Sequence, residues 1–126
     1  MAISYTMTVD DGVLIVKTSG FDESLAEVEQ YGMAIIRETV KTGVRKVLCD
    51  ELELQYRLMT FDTFAAAESI VENAPEIAAN GRVAIVCNPH DIEDAIFFEN
   101  IVVNRGMTLR VFKDTALART WLSELV

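Results

Sequence analysis

The sequence predicts a single α/β domain with a mostly parallel sheet and an antiparallel hairpin at its N-terminal edge. Three observations support this fold class. The first residues alternate between apolar and polar side chains, an Asp-Asp-Gly turn follows, and the rest of the chain alternates helical apolar spacing with short apolar runs. Because helices between consecutive strands imply right-handed parallel crossovers, most of the sheet is expected to be parallel. We expect about five strands and about four helices in one domain over residues 1–126.

The predicted N-terminal hairpin consists of two short strands. Residues 2–9 carry apolar side chains at every odd position from Ile3 to Val9, which is typical of a strand with one buried face. Gly12 follows two aspartates and can adopt the positive φ that a tight hairpin turn needs. Residues 13–17 are more continuously apolar. We therefore place this second strand nearer the centre of the sheet.

Helices and strands alternate after the hairpin. Asp22 is the predicted N-cap of the first helix, which ends at Gly43. Thr60 is the predicted N-cap of the second helix, and Pro75 either lies in its last turn or ends it. The strands between helices are predicted at residues 46–50, 83–87 and 109–112, and the N-caps of the last two helices at Asn88 and Asp114.

Charge and hydropathy exclude several classes of function. The chain contains 11 Lys and Arg residues and 20 Asp and Glu residues, which gives a net charge of −9. Nucleic acids and anionic membrane surfaces attract clustered basic residues, so we expect neither as a partner. No apolar run approaches the length of a membrane span, and the first residues lack the pattern of a secretion signal. We expect a cytoplasmic protein with reduced cysteines.

The order of elements and two stretches of sequence resemble the STAS superfamily, and in particular its SpoIIAA-like group. The stretches are residues 19–22 (SGFD), after the second strand, and residues 104–114 (NRGMTLRVFKD), before the last helix. The resemblance extends over nearly the whole chain. It implies a STAS-like, SpoIIAA-like fold and a bacterial-type regulatory role through contact with another protein.

The chain departs from the sigma-factor antagonists of that superfamily at one position. In those proteins a phosphorylatable Ser follows an Asp in the turn after the third strand. Here Asp50 is followed by residues 51–53, Glu-Leu-Glu, so no acceptor hydroxyl stands there. Because phosphorylation acts by adding charge at a prepared site, we do not expect this chain to use that switch.

One candidate interface lies in residues 51–58, where apolar and polar side chains alternate. This segment is either an extension that covers the domain's own core, or an edge that pairs with a second subunit or another protein. Adjacent helical residues point about 100° apart, so one phenylalanine of the Phe97-Phe98 pair is expected near the surface. The predicted homodimer or partner interface contains Leu52, Leu54, Tyr56, Leu58, Phe97 and Phe98.

Two weaker candidates concern a metal and a ligand pocket. Cys49 and Cys87 end neighbouring predicted strands and His90 follows, so a zinc site or a Cys–His nucleophile pair could form at the carboxyl edge of the sheet. Their spacing matches no established metal motif, and buried structural cysteines are more common. Phe61, Phe64 and Trp121 could line an apolar pocket between helices and sheet, although large apolar residues usually fill a core.

The sequence lacks a Gly-rich phosphate loop, a Gly-x-Ser-x-Gly motif and a His-rich metal motif. We therefore expect a non-catalytic interaction or regulatory module that needs no cofactor. The alternatives are a carrier or sensor of a small, lipid-like apolar ligand and, as the weaker option, a thiol- or zinc-dependent enzyme.

Overall fold

The computed structural model describes residues 2–125 as a single α/β domain built on one five-stranded sheet. The strands lie in sequence order, with β1 and β2 antiparallel and every later pair parallel. The predicted fold class and the N-terminal hairpin are confirmed. The strands are β1 (Ile3–Asp10), β2 (Val13–Asp22), β3 (Lys46–Tyr56), β4 (Arg82–Cys87) and β5 (Leu109–Phe112).

Helices cover both faces of the sheet. One buried apolar cluster joins the sheet to the first four helices, and a smaller cluster joins the opposite face to the last helix. No helix within residues 2–125 is long and apolar enough to cross a membrane. The helices are α1 (Leu25–Thr42), α2 (Thr60–Asn73), α3 (Pro75–Asn80), α4 (Ile92–Asn104) and α5 (Thr115–Ser123), and a 3-10 turn (Pro89–Asp91) precedes α4.

The structure has one helix more than the sequence analysis expected, because Pro75 starts a separate helix. Pro75 is the first residue of α3, and Ala74 before it leaves helical geometry with φ −129° and ψ 52°. Proline lacks an N–H and disfavours the helical conformation of the residue before it. The second helix is therefore divided in two.

Two of the predicted helix boundaries, Gly43 and Asp114, are confirmed, and the prediction at Asn88 is correct only in part. Gly43 ends α1 in the left-handed region with φ 73°. The side chain of Asp114 accepts hydrogen bonds from the backbone at the start of α5. The side chain of Asn88 accepts a hydrogen bond from the backbone of the 3-10 turn, but the N-cap of α4 itself is Asp91. Local capping chemistry determines these three ends.

Two predicted N-caps are wrong. The N-cap of α1 is Ser24, whose hydroxyl accepts from the backbone N–H of Glu27, whereas Asp22 is the last residue of β2. The N-cap of α2 is Met59, with no capping side chain, and Thr60 is the first helical residue. Asp22 instead serves a long-range contact, described below.

Strand β3 is longer than predicted and contains an irregularity that changes which side chains face inward. Asp50 pairs with Lys17 and Glu53 with Ser19, so β3 has one residue more than β2 between these pairs. Such a bulge reverses the inward and outward alternation. Glu51 is 6% exposed on the same inward side as Val47 and Cys49, and after the bulge the core-facing positions continue at Leu54 instead of residue 53.

Candidate functional site

A cavity of about 140 Å³ lies between the sheet and helices α1, α2 and α4. Its walls are mainly apolar, and an aliphatic cavity of about 150 Å³ is large enough to admit benzene. The apolar lining side chains include Val28, Ile35, Ile70, Ile85 and Phe98. The size and lining of the cavity suit one small apolar molecule.

The carboxylate of Glu51 forms a polar patch in the wall of this cavity. The hydroxyl of Tyr31 donates to Oε2 of Glu51 at 2.7 Å, and the hydroxyl of Tyr56 donates to Oε1. Thr18 Oγ1 lies 2.8 Å from the Tyr31 oxygen. Because the Tyr31 proton points to Glu51, Thr18 is the donor in that contact. We call Glu51, Tyr31 and Tyr56 the carboxylate–tyrosine cluster.

Burial dominates the electrostatics of the carboxylate–tyrosine cluster. It raises the pKa of Glu51, although the hydrogen bonds from Tyr56 and Tyr31 oppose that shift. Burial, followed by the charge of Glu51, raises the pKa values of Tyr31 and Tyr56 well above 10.0. Both tyrosines therefore stay protonated and keep donating at neutral pH.

Asp22 and Asp91 fix the end of β3 beside the cavity. Oδ1 of Asp22 accepts from the backbone N–H of Arg57 at 2.5 Å and of Leu58 at 3.0 Å. Oδ2 of Asp91 accepts from the backbone N–H of Tyr56 at 3.1 Å. Burial raises the pKa of Asp22, while its two backbone hydrogen bonds lower it. These bonds hold Tyr56 where its hydroxyl reaches Glu51.

The structure packs most of the predicted interface residues, at least partly buried, against the core of the domain itself. Leu54 is 2% exposed, and Leu54, Tyr56 and Leu58 all line the cavity. Phe98 also lines it, and Phe97 packs partly buried against the same core. Leu52 alone among the predicted set is exposed, at 37%. The prediction of a surface stripe is therefore wrong for Leu54, because the bulge turns this part of β3 towards the core.

The residues predicted to form a ligand pocket do not line the cavity. Phe61 is 80% exposed and Phe64 is 39% exposed, because the inward face of α2 carries Ala66 and Ala67 instead. Trp121 packs on the opposite face of the sheet, with its ring centroid 5.7 Å from that of Phe112. A pocket is present, but this prediction named the wrong residues.

The structure does not assemble the predicted thiol or zinc site. Cys49 and Cys87 are buried on the same side of the sheet, whereas His90 is exposed in the 3-10 turn. Within residues 2–125, no three His, Cys, Asp or Glu side chains are placed to hold a metal ion. Burial raises the pKa of Cys49 well above 9.0 and that of Cys87 to about 11. Neither cysteine is an activated thiolate.

The carboxylate–tyrosine cluster was missed in the sequence analysis. One signal for Glu51 was available, because Val47, Cys49 and Glu51 are alternate residues of an apolar strand and share its inward side. A carboxylate in that position needs buried donors. Nothing local in the sequence identifies Tyr31 as one of them.

No family model and no curated protein matches the chain. Solved structures do match it. An anti-sigma factor antagonist from Mycobacterium paratuberculosis superposes with a TM-score of 0.66 at 15% sequence identity, over 96% of this chain and 94% of that one. The chain has a STAS-like, SpoIIAA-like fold.

A second structure supports the same fold. An uncharacterized protein with a SpoIIAA-like fold from Shewanella loihica PV-4 superposes with a TM-score of 0.53 at 22% identity, again over 96% of this chain and 94% of that one. The fold that the sequence resemblance implied is therefore confirmed. At these identities the likeness concerns the fold alone.

Proposed function

We propose that this protein with a SpoIIAA-like fold is a non-catalytic regulatory module that binds a small, mainly apolar ligand between its sheet and helices α1, α2 and α4. The observation that carries the proposal is the cavity of about 140 Å³, which combines apolar walls with one buried polar cluster. Small-molecule sites are typically apolar pockets with a few polar groups that orient the ligand.

The chemistry of the cavity supports binding in preference to catalysis. Nucleophilic catalysis needs an activated nucleophile beside a base. Here Glu51 is engaged by two tyrosine hydroxyls, and the thiol of Cys49, which also lines the cavity, has a raised pKa. Both cysteines are free thiols, which supports a reducing, cytoplasmic setting.

The likeness to an anti-sigma factor antagonist supports regulation through contact with another protein. Exposed apolar side chains on β3 and at the start of α2 offer a surface for such a contact. The exposed fraction is 37% for Leu52, 74% for Met59, 80% for Phe61 and 39% for Phe64. We take a second copy of the chain as the partner, in a homodimer. Apolar side chains this exposed are typical of association surfaces.

The proposed regulation does not use a serine phosphorylation switch. Glu51 follows Asp50 directly, and its side chain is buried in the carboxylate–tyrosine cluster. Strand β3 continues to Tyr56, so the turn after this third strand is residues 57–59, Arg-Leu-Met, which contains no serine, and Thr60 is the first residue of α2. Ligand occupancy takes the place of phosphorylation as the regulatory input.

Toluene binding tests the cavity. We expect saturating toluene to raise the melting temperature of the wild-type protein, since a ligand at about 100 times its Kd stabilises by about 2.7 kcal/mol. Ala66→Leu, at a buried position in the cavity wall, should abolish that rise, and Ala116→Leu on an exposed face of α5 should preserve it. No rise in the wild type, or an equal rise in Ala66→Leu, would contradict the proposal.

Native mass spectrometry tests the homodimer. Phe61→Ser should shift the protein from dimer to monomer at a fixed concentration, because Phe61 is 80% exposed on α2. Leu117→Ser is the matched control, since Leu117 is 62% exposed on α5 at the opposite face of the sheet. A monomeric wild type, or the same shift in both variants, would contradict this interface.

A further inference from the structure

We infer that the ligand class preferred by the cavity is a small apolar primary amine, bound as its ammonium form with the nitrogen at Glu51. The inference rests on the proposed ligand-binding function and names the chemistry of the ligand. It follows from the charges along the cavity wall, from the hydrogen-bonding capacity left on Glu51, and from the size of the cavity.

The charged residues that line the cavity are all acidic. They are Asp22, Glu51 and Asp94, and no Lys, Arg or His within residues 2–125 contributes to the lining. A carboxylate buried without an opposite charge is costly, and a cation in the cavity would offset that cost. An anionic ligand such as a fatty acid would meet charge of its own sign. The wall therefore selects against acids and in favour of cations.

Glu51 retains hydrogen-bonding capacity for such a cation. An ionised carboxylate offers about four lone-pair sites, and an ammonium group has three N–H donors. Tyr31 and Tyr56 each donate to a different oxygen of Glu51. Each oxygen can thus accept one more bond, and charge-assisted bonds are about twice as strong as neutral ones. A neutral alcohol would donate only one bond and carry no charge.

The remaining walls specify an apolar body of limited size. Side chains such as Ile35, Ile70 and Ile85 line a space of about 140 Å³. An inorganic cation bound at Glu51 would leave the apolar side chains around that space without a contact partner. The described residues also offer no group of three metal-ligating side chains. One ring or a short alkyl chain fits the volume.

Four compounds of nearly equal shape test the inference by isothermal titration calorimetry. They are toluene, benzyl alcohol, benzylamine and benzoate, each titrated into the wild-type protein. We expect the wild type to bind benzylamine at least about tenfold more tightly than benzyl alcohol, and benzoate most weakly. Equal affinity for the amine and the alcohol would overturn the amine preference.

A matched pair of variants tests the role of Glu51. Glu51→Gln should reduce benzylamine affinity to that of benzyl alcohol and leave toluene affinity within about twofold. Glu53→Gln removes a carboxylate from an exposed position of the same strand and should preserve the amine preference. An amine preference that survives in Glu51→Gln would overturn the assignment of the nitrogen to Glu51.

The same titrations separate two kinds of failure. If toluene binds and benzylamine gains nothing over it, the ligand-binding function stands and the amine inference is wrong. If none of the four compounds binds, the proposed ligand-binding function itself is wrong. Should Glu51→Gln not fold, the affinity order of the four compounds on the wild type still decides the amine preference.

Discussion

The hydroxyl of Tyr31 donates a hydrogen bond of 2.7 Å to Oε2 of Glu51, across 20 residues of sequence and between α1 and β3. Thr18 on β2 contacts the same hydroxyl. Tyr56 donates to the other oxygen of the carboxylate. Two strands and one helix thus meet at a single buried carboxylate, which gives the cavity a polar patch of defined geometry.

Removing one donor from Glu51 should cost stability. We expect Tyr31→Phe to lower the free energy of unfolding by about 1–3 kcal/mol, because Glu51 and Thr18 both lose a buried partner. Tyr5→Phe is the control, since Tyr5 is 38% exposed and the centroid of its ring lies 5.3 Å from the centroid of the Tyr31 ring. Urea denaturation measures both, and equal losses in the two variants would contradict a special role for the Tyr31 hydroxyl.

The buried carboxyl of Glu51 should make stability depend on pH. Because its folded pKa is raised above 4.5, the folded state keeps the proton where the unfolded chain releases it. This contribution to stability is complete below pH 4.5 and is lost as pH rises through the folded pKa. Burial also raises the pKa of Asp22 above 3.8, so the protonation of Asp22 changes stability with pH in the same direction.

Urea denaturation between about pH 4 and pH 8 checks this sign. Glu51→Gln should lose less stability than the wild type as pH rises over that range. Glu53→Gln, at an exposed position of β3, should lose as much as the wild type. A Glu51→Gln profile parallel to the wild-type profile would show that Glu51 titrates alike in the folded and unfolded chain.

Gly20 occupies a position in β2 that accepts no side chain. Its φ is +98°, and a Cβ there would lie 2.0 Å from the backbone oxygen of Ala2. Gly43 also has positive φ, at +73°, but a Cβ would meet nothing within 4 Å. Gly43→Ala should therefore cost about 1–2 kcal/mol from φ alone, and Gly20→Ala should cost more. Similar melting temperatures for the two variants would contradict the clash.

Both cysteines should be unreactive in the folded protein. Burial raises the pKa of Cys87 to about 11 and that of Cys49 well above 9.0, so little thiolate is present at pH 8. We expect Ellman's reagent to label the native protein at least about 100-fold more slowly than the protein in denaturant. Rapid labelling of one thiol in the native state would instead support the thiol-enzyme alternative.

Sequence reasoning predicted the parts of this fold that local chemistry determines. Asp114 caps α5 and Gly43 ends α1 as expected, and Asn88 caps the 3-10 turn directly before α4. Each of these features depends on a few neighbouring residues. The alternation of strands and helices along the chain likewise predicted the sheet and its parallel crossovers.

The candidate site was less predictable because tertiary contacts create it. Asp22 has the sequence context of an N-cap, yet it accepts from the backbone of Arg57, 35 residues later. The additional residue in β3 turns Leu54 inward, although simple alternation placed it in a surface stripe. Phe61 has helical apolar spacing but is exposed, because Ala66 and Ala67 face the core.

Methyl NMR of the protein with labelled isoleucines, titrated with toluene, tests the central claim most directly. The account predicts saturable shifts at Ile35, Ile70 and Ile85, which line the cavity, and little change at Ile15 on the opposite face of the sheet. An absence of shifts, or shifts as large at Ile15 as at the lining methyls, would contradict a ligand site between the sheet and the helices.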